Sequence, residues 1–144
     1  GKDHNPAMGE ATEYYTTMRW MAEIDNDFAA RADWGITPAF TGANHAPLVT
    51  CAEPDVQARA GETVELRITA SDPDGDELTA AWWCYAEAST VASGLVIEAD
   101  GFGARVMVPL DAQPGQRAVI IATVTDSGTP PLARYAQFVV TVQA

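Results

Sequence analysis

From residue 48 onwards the chain alternates apolar and polar residues. Val64, Leu66, Ile68 and Ala70 are separated by Glu65, Arg67 and Thr69, the two-residue period of a strand with one buried face. Further strands are predicted over residues 78–86, 95–98, 104–108, 118–125 and 135–142, with another within 49–56. Turn chemistry divides them. Asp72-Pro73-Asp74-Gly75-Asp76 combines a fixed proline dihedral, a glycine free to take positive φ and aspartates that cap backbone N–H groups. Gly101 and Gly103, Gln113–Gln116 and Asp126–Pro131 mark the later turns. Seven short strands within about 95 residues, with no helix among them, predict an all-β sandwich; a closed barrel is the alternative. The alternation assigns Val64, Leu66, Ile68, Trp82, Ile120, Ala122, Val124, Phe138, Val140 and Val142 to one core between two sheets.

Upstream the period is helical. The spacing predicts a helix over 10–32, with Glu10 and Glu13 in its first turn, where acid favours the helix dipole. Tyr14, Met18, Met21, Ile24 and Phe28 form an apolar stripe that Trp20 extends. Gly35 and Pro38 end the pattern, and residues 35–47 read as a linker. Such a stripe must be covered. The cover is either the sandwich or a neighbouring domain, and the length of the linker favours the neighbour. Left bare, residues 10–32 would drive self-association. The chain begins Gly1-Lys2-Asp3, which reads as a piece of a longer protein whose localisation signal lies further upstream. The predicted boundary puts helix and linker in 1–45, as the C-terminal end of an upstream domain, and the sandwich in 46–144.

Composition narrows the function classes. Hydrophobic residues make up 47% of the 144, enough for a core. The net charge of −12 argues against nucleic acid and against an anionic membrane surface, both of which need clustered Lys and Arg. No apolar run approaches the length of a membrane helix. Cys51 and Cys84, 33 positions apart, make neither a metal pattern nor a redox motif. They leave open one disulfide or two core thiols.

Two groups carry candidate chemistry. Asp72, Asp74 and Asp76 alternate around a glycine turn and can aim several oxygens at one centre, as calcium requires. Glu77 offers another oxygen, and Asp126 joins if its loop lies at the same end of the sandwich. The competing reading is a turn that caps its own backbone. The distal bidentate glutamate of an EF-hand loop is missing. The second group is aromatic. Alternation sends Trp82 and Cys84 to one face, and Trp83 and Tyr85 to the other. Leu78, Ala80 and Trp82 form the more apolar face, so Trp83 is the outward tryptophan. An outward pair can stack on sugar rings, or it can be covered by a loop or a neighbouring domain. Glu87 follows the strand; a glycosidase would need it paired with a second carboxylate, and the spacing names none. His4 and His45 lack the partners of a zinc or catalytic site. There is no nucleophile elbow and no phosphate-cradling glycine loop. This chain is expected to be non-catalytic.

Asn44-His45-Ala46-Pro47, the Asp72–Asp76 run and Asp126-Ser127-Gly128-Thr129-Pro130-Pro131-Leu132 together resemble cadherin-like extracellular repeats. Ser71–Glu77 followed by Trp82-Trp83-Cys84-Tyr85-Ala86-Glu87-Ala88 resembles the C-terminal domain of a family of cellulose-binding proteins. In that family an immunoglobulin-like domain follows a nucleoside-hydrolase-like one. Arg19-Trp20 and Asn26-Asp27-Phe28-Ala29-Ala30-Arg31-Ala32-Asp33-Trp34 look like the end of that upstream domain. Cys84 departs from the aliphatic residue expected there, and Ser89 from a glycine. The resemblance implies a seven-stranded immunoglobulin/cadherin-like sandwich preceded by one helix and a linker, in a secreted, periplasmic or cell-surface protein. It implies an accessory module that binds cellulose or another plant polysaccharide, with Trp83, Tyr85 and Glu87 as the sugar contacts. The other reading is a structural or interaction domain that orients the upstream domain. The first predicts an exposed aromatic platform; the second predicts that those aromatics are covered. Asp72, Asp74, Asp76 and Asp126 are the candidate calcium ligands, and no other cofactor is expected.

Overall fold

The computed structural model describes residues 3–5, 10–12, 20–36, 42–91 and 93–144. Strands β1 (Asp3–Asn5) and β2 (Glu10–Thr12) pair antiparallel. Helix α1 (Met21–Ile36) follows, then β3 (Leu48–Thr50), β4 (Asp55–Arg59), β5 (Thr63–Arg67), β6 (Thr69–Ser71), β7 (Leu78–Cys84), β8 (Val96–Asp100), β9 (Gly103–Met107), β10 (Arg117–Asp126) and β11 (Ala133–Gln143).

The alternating segments form two layers. One has the order β4-β11-β10-β7. The other is built from β5-β9-β8 and the β3-β6 ladder. β6 follows β5 after a single residue, Ile68, whose N–H bonds Phe102 O at 2.9 Å, the next position in the β5–β9 register, before the strand changes partner to β3. The pairings are antiparallel except β4 on β11, where the chain has crossed from one layer to the other and runs parallel to the last strand. This is the strand order of an immunoglobulin-like sandwich.

The inward faces make one core. Leu66, Ile68, Ile120, Ala122, Val124, Phe138, Val140 and Val142 are buried in it, and Val64 and Trp82 pack against it. Trp82 stacks on Phe138 with ring centroids 5.7 Å apart. Cys51 and Cys84 are free thiols beside the same core.

The helix departs from expectation at both ends. Glu10–Thr12 is strand, because it forms a ladder with Asp3–Asn5, so Glu10 is not in a first helical turn. That place is taken by Glu23. Gly35 is still helical. Tyr14 and Met18 lie outside the described residues. The expected stripe is also not the buried face: Met21, Ile24 and Phe28 are 42%, 49% and 74% exposed. An adjacent face, carrying Trp20, Asp27, Ala30 and Trp34, meets the sandwich instead. Periodicity counted apolar side chains, but the surface that receives the helix offers aromatic rings and an arginine. It therefore takes tryptophans and an aspartate.

Candidate functional site

Two regions bring the candidate residues together. The first is the outer face of the β4-β11-β10-β7 sheet. β7 alternates as expected, with Trp82 inward and Trp83 outward. Trp83 lies opposite Ile121 on β10, and its Nε1 donates to Thr123 Oγ1 at 3.1 Å. Tyr85, just past the strand, stands 5.8 Å from Trp83 ring to ring. Neither ring is a bare platform. Trp20, at the start of α1, lies 5.8 Å from Trp83 and meets Tyr135 of β11 edge-on at 5.1 Å. Beneath this cluster the outward side chains Val119 and Ile121 are buried. The outer face is thus a second, aromatic packing layer closed by the helix. Glu87 sits exposed on the 3-10 turn Ala86–Ala88.

The seam between helix and sheet is tied by charge. Arg134 Nη1 donates to Asp27 Oδ1 at 3.1 Å. Trp20, Glu23, Asp27, Arg134 and Tyr135 line a small cleft of about 180 Å³, and Ile24, half exposed, stands at its edge. The Tyr135 phenol is pushed up to about 12, by burial first and by the charge of Glu23 next, with Arg134 opposing and Asp27 adding to the rise. Sequence spacing could not find Trp20, Arg134 or Tyr135 as partners of Trp83, because they converge only once the helix is docked.

The second region is the acidic end of the sandwich. Asp72, Asp76 and Asp126 each bring one carboxylate oxygen within 4.8 Å of the others. The loops after β6 and β10 do lie at the same end. Asp74, expected in the group, turns away: its carboxylate accepts the His45 N–H at 2.7 Å and faces His45 Nδ1 at 3.1 Å. Glu77 is not in the group either; its backbone N–H donates to Ser127 Oγ at 3.1 Å, at the same end of the sandwich. The turn does cap itself, since Asp72 Oδ1 accepts the N–H groups of Asp74 and Asp76 at 2.8 and 3.1 Å. Gly75, at φ 81°, holds the conformation that closes it.

Asp126 is the anchor, 4% exposed. Its Oδ1 accepts the N–H groups of Gly128 and Leu132 at 3.1 and 2.9 Å. Both of its oxygens accept from Asn44 Nδ2, at 3.0 and 3.1 Å. That amide nitrogen also reaches Pro130 O at 2.8 Å. Asn44 packs so closely over Gly128 that any Cβ there would collide with its amide. Asn44 lies in the stretch whose sequence reads as linker, and at 82 positions from Asp126 no spacing argument connects them. Local desolvation, then the charges of Asp72, Asp126 and Asp74, raise the Asp76 carboxyl above its ordinary value.

Over residues 63–142 the chain matches the family described as cellulose-binding protein Sde0182, C-terminal domain. The chain belongs to this family. No curated protein matches it. Among solved structures it is similar to a nucleoside hydrolase-related hypothetical protein from Saccharophagus degradans that is associated with carbohydrate metabolism. That likeness has a TM-score of 0.81 and 29% identity, over 99% of this chain and 40% of that one. The chain therefore spans 40% of the length of this relative. Titin domain M7 is similar with a TM-score of 0.46 and 16% identity, over 70% of this chain and 97% of the titin domain.

Proposed function

We propose that this chain is the non-catalytic accessory domain of a longer, exported carbohydrate-binding protein, and that it orients a neighbouring nucleoside-hydrolase-related domain through α1. The observation that carries this is the two-sided helix. One face is fastened to the sandwich by Trp20, Ala30, the Asp27–Arg134 pair and Trp34. The adjacent face leaves Met21, Ile24 and Phe28 exposed in a row. A rigidly mounted apolar strip is suited to burial against another body. The relative that this chain covers for only 40% of its length supplies the kind of body expected.

The test is thermal unfolding of the longer protein with Phe28→Asp and Met21→Ser. The expected outcome is that one cooperative transition splits into two while the isolated chain melts as before. A longer protein whose single transition survives both substitutions would remove the docking role.

A second reading, direct sugar binding, is favoured by one feature. The seam cleft sets the rings of Trp20 and Tyr135 beside Glu23, Asp27 and Arg134, pairing apolar ring faces with hydroxyl-bonding groups. It shifts the sugar contacts from Trp83, against which Trp20 packs, and its neighbour Tyr85 to the rim.

A further inference from the structure

An acidic cluster is ordinary on a chain of net charge −12. The one formed by Asp72, Asp76 and Asp126 is distinguished by the oxygens around it. Asn44 is 7% exposed, yet its Oδ1 has no hydrogen-bond partner. Asp72 Oδ2 is buried and equally without one. Three buried side-chain atoms lack partners among the described residues, and two of them are here. An unpaired buried acceptor is costly, and more so when charged.

The neighbouring backbone donors are already used. The N–H groups of Asp74 and Asp76 go to Asp72 Oδ1, and those of Gly128 and Leu132 to Asp126 Oδ1. Among the described residues, the ion pairs of the arginines run to Glu65 and Asp27, away from this end. The Asn44 amide cannot simply turn over, because its nitrogen faces the Asp126 carboxylate and the Pro130 carbonyl. Oδ1 is left as the free acceptor of a side chain that lines the same open cleft as Asp76, Ser127 and Gly128.

Negative, acceptor-only oxygens short of donors are matched by a hard cation. Calcium takes six to eight oxygens at about 2.3–2.6 Å, so ligands across it stand about 5 Å apart; magnesium, at about 2.0–2.1 Å, draws them to about 4 Å. A spread within 4.8 Å admits either ion; the donor set favours calcium, because magnesium usually takes only one or two carboxylates and keeps most of its water. The open cleft supplies an entry path and room for water ligands.

We propose that Asn44 Oδ1 and the carboxylates of Asp72, Asp76 and Asp126 form a calcium site that clamps residues 42–47 to the sandwich and, through them, the C-terminal end of α1. The link to the helix is Trp34. Its Nε1 donates to Asn44 O at 2.8 Å, and its ring stacks on His45 with centroids 5.3 Å apart and planes 11° apart. His45 is in turn held by Asp74. An ion that fixes Asn44 thus fixes the surface on which Trp34 rests.

The experiment adds calcium alone to the chelator-treated chain. Calorimetry should show one ion bound per chain, and the melting temperature should climb with calcium concentration, since the ion binds the native state. Magnesium at equal concentration should give a smaller shift. Asp76→Asn, at the solvent side of the cluster, should abolish the heat while the ion-free chain still melts as wild type. Asp126→Asn should do the same, but it also disturbs the hydrogen bonds within its loop, so Asp76→Asn is the deciding variant. Hydrogen exchange should slow over 42–47 and 30–36 on calcium addition; in Trp34→Ala the slowing should stop at residue 47 and spare the helix. No heat and no shift at millimolar calcium would overturn the site. Binding that survives Asp76→Asn would place the ion elsewhere. Binding that leaves exchange in α1 unchanged would overturn the clamp.

Discussion

Trp83 separates the two functional readings most sharply. It points away from the core, as a sugar platform must, yet Trp20 and Tyr85 pack against it and Thr123 accepts its N–H. Aromatic pairs contribute about 0.5–1.5 kcal/mol each, and a hydrogen bond about 1 kcal/mol. Trp83→Ala is therefore expected to cost about 2–4 kcal/mol, measured as a lower midpoint in urea unfolding. Trp83→Phe should recover much of this, because it keeps the ring contacts. An unchanged midpoint in Trp83→Ala would mean that the ring is a platform after all. The direction of this side chain was legible from the two-residue period alone. Its cover was not, because Trp20 lies 63 positions away on an element of different period. Asn44 is the same case: its role depends on Asp126 and on a glycine with no Cβ at 128, and none of these residues announces the others.

Among the elements, strands were more legible than the helix. Each strand of the sandwich pairs with neighbours along its length, so one buried face and one period run through it, and all ten expected core positions are in or against the core. The break at Ile68, which divides one expected strand into β5 and β6, falls where the pairing partner changes from β9 to β3, a long-range switch that no local pattern encodes. The helix rests on a surface that is not uniformly apolar, so its most hydrophobic stripe and its packed face differ. Tyr135 reports on that packing. Its phenol ionises at about 12 instead of the ordinary 10.0, because burial and the Glu23 charge disfavour the tyrosinate. A raised folded value means that the neutral phenol stabilises the docked form fully below pH 10, and that this contribution is lost as the pH rises through about 12. In an alkaline titration followed by tyrosinate absorbance, Trp20→Ala should bring Tyr135 down towards 10, and Glu23→Gln should lower it by a smaller amount. If neither moves it, the helix is not what covers Tyr135.

For the whole molecule, the question is what the 144 residues do alone. The sandwich closes its own core, and the helix closes the aromatic outer face. Among the described residues, Met21, Ile24 and Phe28 are exposed in a row on a helix fixed in place at Trp20, Asp27 and Trp34, whereas other exposed apolar residues such as Leu48 and Leu110 lie on separate elements. Rigid apolar strips of this kind pair with one another when their proper partner is missing. Light scattering of the isolated chain should therefore show mass rising with concentration, and Phe28→Asp should return it to a monomer without changing its melting temperature. Partitioning of the same samples onto insoluble cellulose separates the remaining possibility. If docking is the role of the chain, the wild-type chain stays in solution, because the aromatics that would hold a glycan are turned into the seam. If instead it is retained, and retention is lost in Tyr135→Ala but kept in Phe28→Asp, the seam cleft binds the sugar. The helix is then the wall of a binding site and not a bridge to a neighbour.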